Sequence, residues 1–271
     1  MFVPRTRTLL VALAASVCGC SLLVETSGLG GPDVAQPADG GTAPVEGGTS
    51  TSPEASSDAG SFSCDPTALF CTRFDEGLSA FSATNADPGT TATIDTVETT
   101  SPPSSFHVTL PRSNTTLAAG GRRNLPQIYQ DLRFRFAMRV DQPVLQAGDR
   151  GTHVFELLVD LEGQPAYTLS MEVFADRTVS VYVSKASSDP YRALARPITY
   201  GAWHTFDLEV RVGAGTVRIA LDGLPAFERS DIGIPSRATP RQVFFDVGAV
   251  SYNTPNPGAS VRFDDLRVDG L

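Results

Sequence analysis

Short segments in which apolar and polar residues alternate recur along most of this chain and constrain its fold more than any other feature. The segment "LRFRFAMRV" places Leu132, Phe134, Phe136, Met138 and Val140 on one side and three arginines on the other. A period of two is typical of a β-strand with one buried face. Similar alternation occurs in "SFHVTL", "YTLSMEVF", "HTFDLEVRV" and "TVRIALDG", and no segment has a convincing helical period. The pattern predicts an all-β domain.

The turns between these segments indicate how the strands pair. Short connections such as "EGQPA" and "GAGT" join consecutive alternating segments and predict β-hairpins. Antiparallel strands that each have one apolar face pack as two sheets with polar outer faces. Residues 63–271 are therefore predicted to form a two-sheet antiparallel β-sandwich.

The first 20 residues have the layout of a bacterial export signal. Arg5 and Arg7 precede an apolar run from Leu9 to Val17, which is shorter than the about 20 residues that span a bilayer. The segment "VCGC" resembles a lipobox, with Cys18 as a departure at its second position. The resemblance implies a signal peptide at residues 1–19 and lipidation of Cys20, whereas an ordinary cleaved signal is the alternative.

The segment that follows has the composition of a disordered linker. Residues 20–62 are rich in Gly, Pro, Ser and Thr, and between Ser21 and Ser61 there are six acids and no base. Such a segment cannot bury enough apolar surface to offset its ordering entropy. We expect an exported protein that is lipid-anchored to the cell envelope and displays its domain beyond this tether. Ser21 resembles the residue that directs such proteins to the outer membrane.

Charge and cysteine content narrow the set of partners. The net charge is −9, and no basic stripe suits phosphate binding, so nucleic acid is not an expected partner. In an oxidising compartment, Cys64 and Cys71 predict a local disulfide at the start of the domain. A metal site at these cysteines lacks a second cysteine pair or a histidine cluster.

One hairpin carries a family resemblance. The segment "YGAWHTFDLEVRVGAGTVRIALDGLPAF" is similar to the central hairpin of laminin-G-like and concanavalin A-like jelly rolls. The resemblance implies a jelly-roll β-sandwich in which Trp203 caps the core, with a sugar-stacking platform as the alternative. It also implies that Asp222 and Gly223 make a tight reversal.

The two ends of the domain repeat one motif. The segment "TRFDEGL" near its start is echoed by "VRFDDLRVDGL" at its end. In jelly rolls of this family the first and last strands lie side by side, so the resemblance implies paired ends. Val261 and Phe263 have one parity and Leu266 and Val268 the other, which predicts a bulge at Asp264–Asp265.

The same resemblance implies a structural calcium ion between the chain ends. Its ligands would be Asp264 and either Asp75 or Glu76, because calcium prefers oxygen ligands. The alternative is that these acids lie in solvated turns or pair with Arg73 and Arg262. No other cofactor is expected.

The sequence matches known catalytic motifs less well than it matches the fold pattern. Glu156, Asp160 and Glu162 alternate onto one face as in glucanases of this superfamily, but the outer two are six residues apart, about 20 Å along a strand. Retaining glycosidases need carboxylates about 5 Å apart. A lyase needs a Tyr or His base near an Arg or Gln. His107 and His153 are predicted to be packed or exposed fillers within strands.

We therefore expect a non-catalytic carbohydrate- or protein-binding module. The predicted ligand-binding residues are polar side chains of alternating strands: Arg133, Arg135, Arg139 and Tyr182. A diverged polysaccharide-degrading enzyme, either a glycoside hydrolase or a lyase, is the alternative. A structural envelope protein is the second alternative.

Overall fold

A computed structural model describes residues 62–125, 131–141, 151–162, 166–183, 191–194, 196–230, 240–252 and 258–271. The predicted signal peptide, Cys20 and the predicted linker up to residue 61 lie outside the described residues, and these assignments stay predictions. Within the described ranges, no helix is both long and apolar enough to cross a membrane.

The described residues form fifteen strands and one short 3-10 helix, Gly77–Ala80. The strands are β1 Phe70–Thr72, β2 Ala83–Ala86, β3 Thr91–Asp95, β4 Ser105–Leu110, β5 Leu117–Asn124, β6 Asp131–Val140, β7 Thr152–Leu161, β8 Tyr167–Val173, β9 Val179–Val183, β10 Tyr191–Ala193, β11 Trp203–Arg211, β12 Thr216–Leu221, β13 Leu224–Arg229, β14 Pro240–Ser251 and β15 Ala259–Gly270.

These strands form two antiparallel sheets. The eight-stranded sheet has the order β13-β12-β11-β6-β15-β4-β3, and β1 also pairs with β15. The seven-stranded sheet has the order β10-β9-β8-β7-β14-β5-β2. Hairpins join β7 to β8, β8 to β9 and β11 to β12, as the turn sequences predicted. The predicted all-β sandwich is confirmed.

The apolar faces of the two sheets meet in the core. All five apolar residues of β6 that the alternation assigned to one face are buried. Phe134 on β6 contacts Phe155 on β7 and Phe245 on β14, with ring centroids 5.3 and 5.5 Å apart. Because these rings come from opposite sheets, burial of their large apolar surfaces binds the two layers together.

The first and last strands pair as the repeated motif implied. Phe70, Cys71 and Thr72 of β1 lie opposite Val268, Arg267 and Leu266 of β15. A disulfide joins Cys64, which precedes β1, to Cys71 within it. The register of β15 against β6 shifts between Asp264 and Arg267, which confirms the predicted bulge and turns both apolar pairs of β15 toward the core.

The central hairpin follows the predicted pattern at its turn but not at Trp203, which was predicted to cap the core. Asp222 and Gly223 have φ angles of 52° and 73° and reverse the chain between β12 and β13. The Asp222 carboxylate accepts a hydrogen bond of 2.9 Å from the backbone N–H of Thr205. Trp203 is only half-buried and is not part of the buried core.

Candidate functional site on the seven-stranded sheet

A cleft of about 280 Å³ lies over β2, β5, β7 and β14. Its floor is built from Gly120 and Gly248, which are cross-strand partners on β5 and β14. A Cβ at Gly248 would lie 2.3 Å from the carbonyl oxygen of Ala119, and one at Gly120 would lie 2.7 Å from that of Val247. Neither position accepts a side chain, because the backbones of β5 and β14 approach closely here, so backbone forms the floor of the cleft.

A row of polar residues crosses the outer face of the sheet beside this floor. Arg122, Asp246, Glu156 and Ser170 are successive cross-strand partners on β5, β14, β7 and β8. The Nε and Nη2 atoms of Arg122 donate to Asp246 at 2.8 and 2.7 Å. The Arg122 guanidinium also lies 4.1 Å from the ring centroid of Phe244. This two-point ion pair fixes the guanidinium at the cleft wall.

Glu156 occupies the middle of the row. Burial raises the pKa of its carboxyl group, and the nearby charge of Asp246 raises it further. His153, Arg122 and a long 3.5 Å hydrogen bond from Ser170 oppose that shift. Desolvation and a like charge both disfavour the ionised form. Glu156 is thus a carboxyl group with an unusually strong hold on its proton.

A bulge on β7 brings His153 to the same face as Glu156. The register against β8 shifts between His153 and Phe155, so Val154 is the extra residue. Without this insertion, two positions three residues apart in a strand would point to opposite faces. The bulge therefore assembles the His153 and Glu156 side chains in one cleft.

His153 stands between a buried carboxylate and an aromatic ring. Its Nε2 atom lies 2.7 Å from Oε1 of Glu172, which is only 1% exposed. Its ring meets the ring of Tyr252 edge-on, with centroids 5.0 Å apart. Neither Nδ1 of His153 nor Oε2 of Glu172 has a hydrogen-bond partner among the described residues. Buried polar atoms are rarely left unpaired in this way, and they often mark functional sites.

Tyr252 follows β14 at the rim of this cluster, where 47% of its side chain is exposed. Burial of the remainder raises the pKa of its hydroxyl group, and the charges of Glu156 and Glu172 raise it further. The hydroxyl therefore stays protonated at ordinary pH.

The predicted ligand-binding residues do not share one surface. Arg133, Arg135 and Arg139 lie on β6 in the eight-stranded sheet, whereas Tyr182 lies on β9 in the seven-stranded sheet. The three arginines form ion pairs with carboxylates of the same sheet face and its loops: Asp207, Asp269, Asp141 and Glu98. The structure gives no single site that contains all four, and a ligand role for any of them stays a prediction.

The predicted calcium ligands differ in their burial and in their hydrogen bonds. Asp264 is 0% exposed, and its Oδ2 atom accepts hydrogen bonds from the backbone N–H groups of Thr100 at 2.8 Å and Ser101 at 3.0 Å. Asp75 is exposed and receives a 3.4 Å hydrogen bond from Ser104, and Glu76 is exposed as well. Within the described ranges no group of three or more His, Cys, Asp or Glu side chains could hold a metal ion. The calcium ion stays a prediction.

The acids considered for a glucanase motif are also separated. Glu156 lies in the cleft, whereas Asp160 lies 3.7 Å from Arg241 farther along β7. The carboxylate nearest in register to Glu156 is Asp246, which lies far away in sequence. Sequence reasoning did not single out four residues of this cluster, Arg122, Glu172, Asp246 and Tyr252, and it interpreted His153 as a packed or exposed strand residue. The paired glycines in "AAGG" and "DVGA" were the available signal, since glycine inside a strand marks close approach by another backbone or a ligand.

Comparisons with known proteins identify fold neighbours only. No family model matches the chain, and no curated protein matches it. Endo-β-1,4-glucuronan lyase from the fungus Trichoderma reesei is similar with a TM-score of 0.56 and 12% identity over 70% of this chain and 91% of that one. The cellulose induced protein Cip1 has a TM-score of 0.53 and 16% identity over 74% and 97% of the two chains.

A third solved structure, alginate lyase Aly36B, has a TM-score of 0.51 and 12% identity, covering 77% of this chain and 98% of that one. At such low identities these similarities concern the fold and not the chemistry. Together with the two antiparallel sheets, they establish that this chain folds as a jelly-roll β-sandwich of the kind found in polysaccharide lyases.

Proposed function

We propose that this protein is a polysaccharide-degrading enzyme that cleaves a uronate-containing chain by β-elimination in the cleft of the seven-stranded sheet. The observation that carries the proposal is His153, held at the cleft wall between the buried carboxylate of Glu172 and the ring of Tyr252. Two of the fold neighbours described above are named as lyases of glucuronan and alginate, which supports this proposal over a non-catalytic binding module.

The residues of the cleft match the needs of the reaction. In β-elimination a base removes the proton at C5, next to the uronate carboxylate. The electron pair forms a C4–C5 double bond, the C4–O bond breaks, and the departing oxygen takes up a proton. His153 is the proposed base, because its ring lines the cleft and Nδ1 is the nitrogen that Glu172 leaves without a partner among the described residues. Nδ1 is buried in this structure, so substrate binding has to shift the imidazole or the ring of Tyr252 to expose it. The carboxylate of Glu172 stabilises the imidazolium ion that forms.

Tyr252 is the proposed acid. Its raised pKa keeps the hydroxyl protonated, and its exposed position at the rim lets a bound sugar chain reach it. Arg122 lies on the other side of the glycine floor and is the arginine that lines the cleft, although its ion pair with Asp246 already offsets much of its charge. Base, acid and cation thus surround one surface that is free of side chains.

The product decides between the candidate functions. The full chain is incubated with glucuronan and with alginate, and both new reducing ends and the ultraviolet absorbance of the C4–C5 double bond are followed. We expect both signals in equal amounts. Reducing ends without the double bond would indicate a hydrolase, and binding without either signal would indicate a non-catalytic module.

A glycoside hydrolase is the second candidate, and the Glu156–Asp246 pair favours it. Direct cross-strand partners have Cβ atoms about 4.5–5.5 Å apart, and retaining glycosidases need carboxyl groups about 5–5.5 Å apart. Burial raises the pKa of Glu156, as suits the acid of such a pair. In that mechanism Glu156 would be the acid, and Glu156→Gln would abolish cleavage.

We infer that the enzyme acts at the cell envelope. The lipobox-like segment ending at Cys20 supports a lipid anchor, and two or more acyl chains suffice for stable attachment. A linker that holds the domain away from the membrane suits a polymeric substrate. The polysaccharide and the membrane are accordingly the proposed partners.

A further inference from the structure

The charges around Glu156 are poorly suited to an acidic ligand as they stand. Three carboxylates belong to the cluster, against one guanidinium and one imidazole. The groups that face Glu156 come from β14, β5, β7, β8 and the residue after β14: Asp246, Arg122, His153, Ser170, Glu172 and Tyr252. An ionised Glu156 would repel the carboxylate of a uronate that entered this cleft.

The geometry leaves Glu156 without a counter-ion of its own. Arg122 uses Nε and Nη2 to bind Asp246, and no ion pair to Glu156 occurs among the described residues. The hydrogen bond described for its carboxyl group is the 3.5 Å contact from Ser170. Glu156 therefore has an oxygen available to a ligand in the cleft.

We propose that the cleft takes up a uronate carboxylate together with one proton, which Glu156 carries and donates to the ligand as a hydrogen bond. This inference rests on the proposed function and assigns Glu156 as the residue that selects for uronic acids. A neutral sugar at the same position carries no carboxylate to share the proton. The raised pKa of Glu156 supports this role, since the group is already inclined to hold a proton before the ligand arrives.

The physical basis is the behaviour of two carboxyl groups that share a site. Their like charges oppose each other, so one of the two keeps its proton well above the pH at which it would normally ionise. A bound uronate adds a second negative neighbour to Asp246 and strengthens this effect. Binding and protonation are then linked, and each favours the other.

The buried Glu172 carboxylate is an independent sign that the cleft is built for a ligand. It is 1% exposed and its Oε2 atom has no partner among the described residues, although it stands directly behind His153. A buried carboxyl group whose partner is a single imidazole is costly to a fold and is retained where it has a role. The mixed cluster is therefore more than a group of surface acids.

The experiment measures affinity against pH. The full chain carrying Tyr252→Phe, which slows turnover, is titrated with glucuronan and alginate tetrasaccharides from about pH 4 to about pH 8. Above the pKa of Glu156 we expect affinity to fall by about tenfold per pH unit, which corresponds to one linked proton. Calorimetry in two buffers of different ionisation enthalpy should show that one proton is taken up on binding in that range.

Matched variants test whether Glu156 is the group that takes up the linked proton. Glu156→Gln keeps the shape and a hydrogen-bond donor, so it should bind with an affinity that no longer falls with pH. Asp160→Asn, on the same face of β7 but beside Arg241, should keep the slope of the parent chain. Cellotetraose, which lacks carboxylates, should show no slope.

The outcomes separate this inference from the proposed function. Two outcomes would overturn the role of Glu156 and leave the proposed function intact. One is unsaturated products together with an affinity that does not depend on pH, and the other is a pH slope that persists in Glu156→Gln. The same slope with cellotetraose would also overturn it. Failure of both uronate tetrasaccharides to bind at any pH would overturn the uronate substrate as well.

Discussion

Glu156 on β7 and Asp246 on β14 are direct cross-strand partners, and their carboxyl groups share one row on the outer face of the seven-stranded sheet. Like charges opposite each other destabilise a sheet. Of the two, only Asp246 is compensated, by a two-point ion pair with the Arg122 guanidinium. The sheet thus contains a local electrostatic conflict at the position where its cleft lies.

This conflict predicts that Glu156→Gln stabilises the fold at neutral and alkaline pH. The pKa of Glu156 is raised in the folded state, so its favourable contribution is complete below the unfolded value and is lost as pH rises through the folded value. At pH values above the folded-state pKa of Glu156, the Tm of the variant should exceed that of the wild type. The expected rise is about 2–4 °C for each 1 kcal/mol of repulsion that the substitution removes. At about pH 4 the two should melt together. A lower Tm for the variant at alkaline pH would contradict this expectation.

His153 and Glu172 should affect cleavage to different degrees. We expect His153→Gln to lower kcat by about 10²–10⁴, the usual contribution of a general base. Glu172→Gln should lower it less and should shift the pH profile, because Glu172 acts through the imidazole. His107→Gln is the control, since His107 lies on β4 of the other sheet, 3.0 Å from Ser260. Equal loss in the His107 variant would contradict the assignment.

Gly248→Ala should damage the cleft floor. Its added methyl group meets the Ala119 carbonyl at 2.3 Å, and overpacking of this kind costs about 1–3 kcal/mol. Both the Tm and the rate of cleavage should fall. Gly77→Ala is the matched control, because its φ of +70° imposes a strain of about 1–2 kcal/mol with no atom within 4 Å of the new methyl. Gly77→Ala should melt earlier and still cleave at the normal rate.

Asp264→Asn should destabilise the domain by about 1–3 kcal/mol, since N–H and O–H donors of Thr100 and Ser101 converge on this buried carboxylate. We expect the same loss of Tm with calcium and with a chelator. Asp75→Asn is the control, because Asp75 is exposed. A rise in Tm on addition of calcium that Asp75→Asn abolishes would instead support an ion between the chain ends.

Cys20→Ser should release the protein from the membrane fraction of a bacterial host, because it removes the proposed lipid attachment point. Cys18→Ser leaves that point intact and should stay with the membranes. Fractionation and labelling with a radioactive fatty acid provide the measurement. Membrane association of Cys20→Ser that matches the parent chain would contradict a lipid anchor at this residue.

Much of the fold could be predicted from local patterns. The strict alternation in β6 identified its buried face, and the parity switch between Phe263 and Leu266 identified the bulge of β15. The repeated motif at the two ends anticipated the pairing of Phe70 with Val268. Each of these inferences needs only the period of a strand or one comparison between two segments.

The candidate site depended on information of another kind. Arg122 and Asp246 meet because β5 and β14 are neighbours in the sheet, and strand order cannot be deduced from alternation. The prediction that His153 is a packed or exposed strand residue agrees with its position in β7, and the bulge at Val154 also places its side chain in the cleft with Glu156. The two consecutive apolar residues in "HVFE" carry the same parity switch that revealed the bulge in β15. By the same reasoning, this segment indicates a bulge in β7.

The disulfide also determines how the domain bears mechanical force. Cys71 lies in the middle of β1, opposite Arg267 of β15, and its partner Cys64 precedes the strand. Tension on the chain before Cys64 therefore passes through the sulfur bridge and bypasses the residues between the two cysteines. It reaches β15, which is held between β4 and β6 in the eight-stranded sheet. In the proposed arrangement, in which the domain is held at its N-terminal side and grips a long polymer, drag would pass through this connection to the eight-stranded sheet, and the cleft on the opposite sheet would keep its shape.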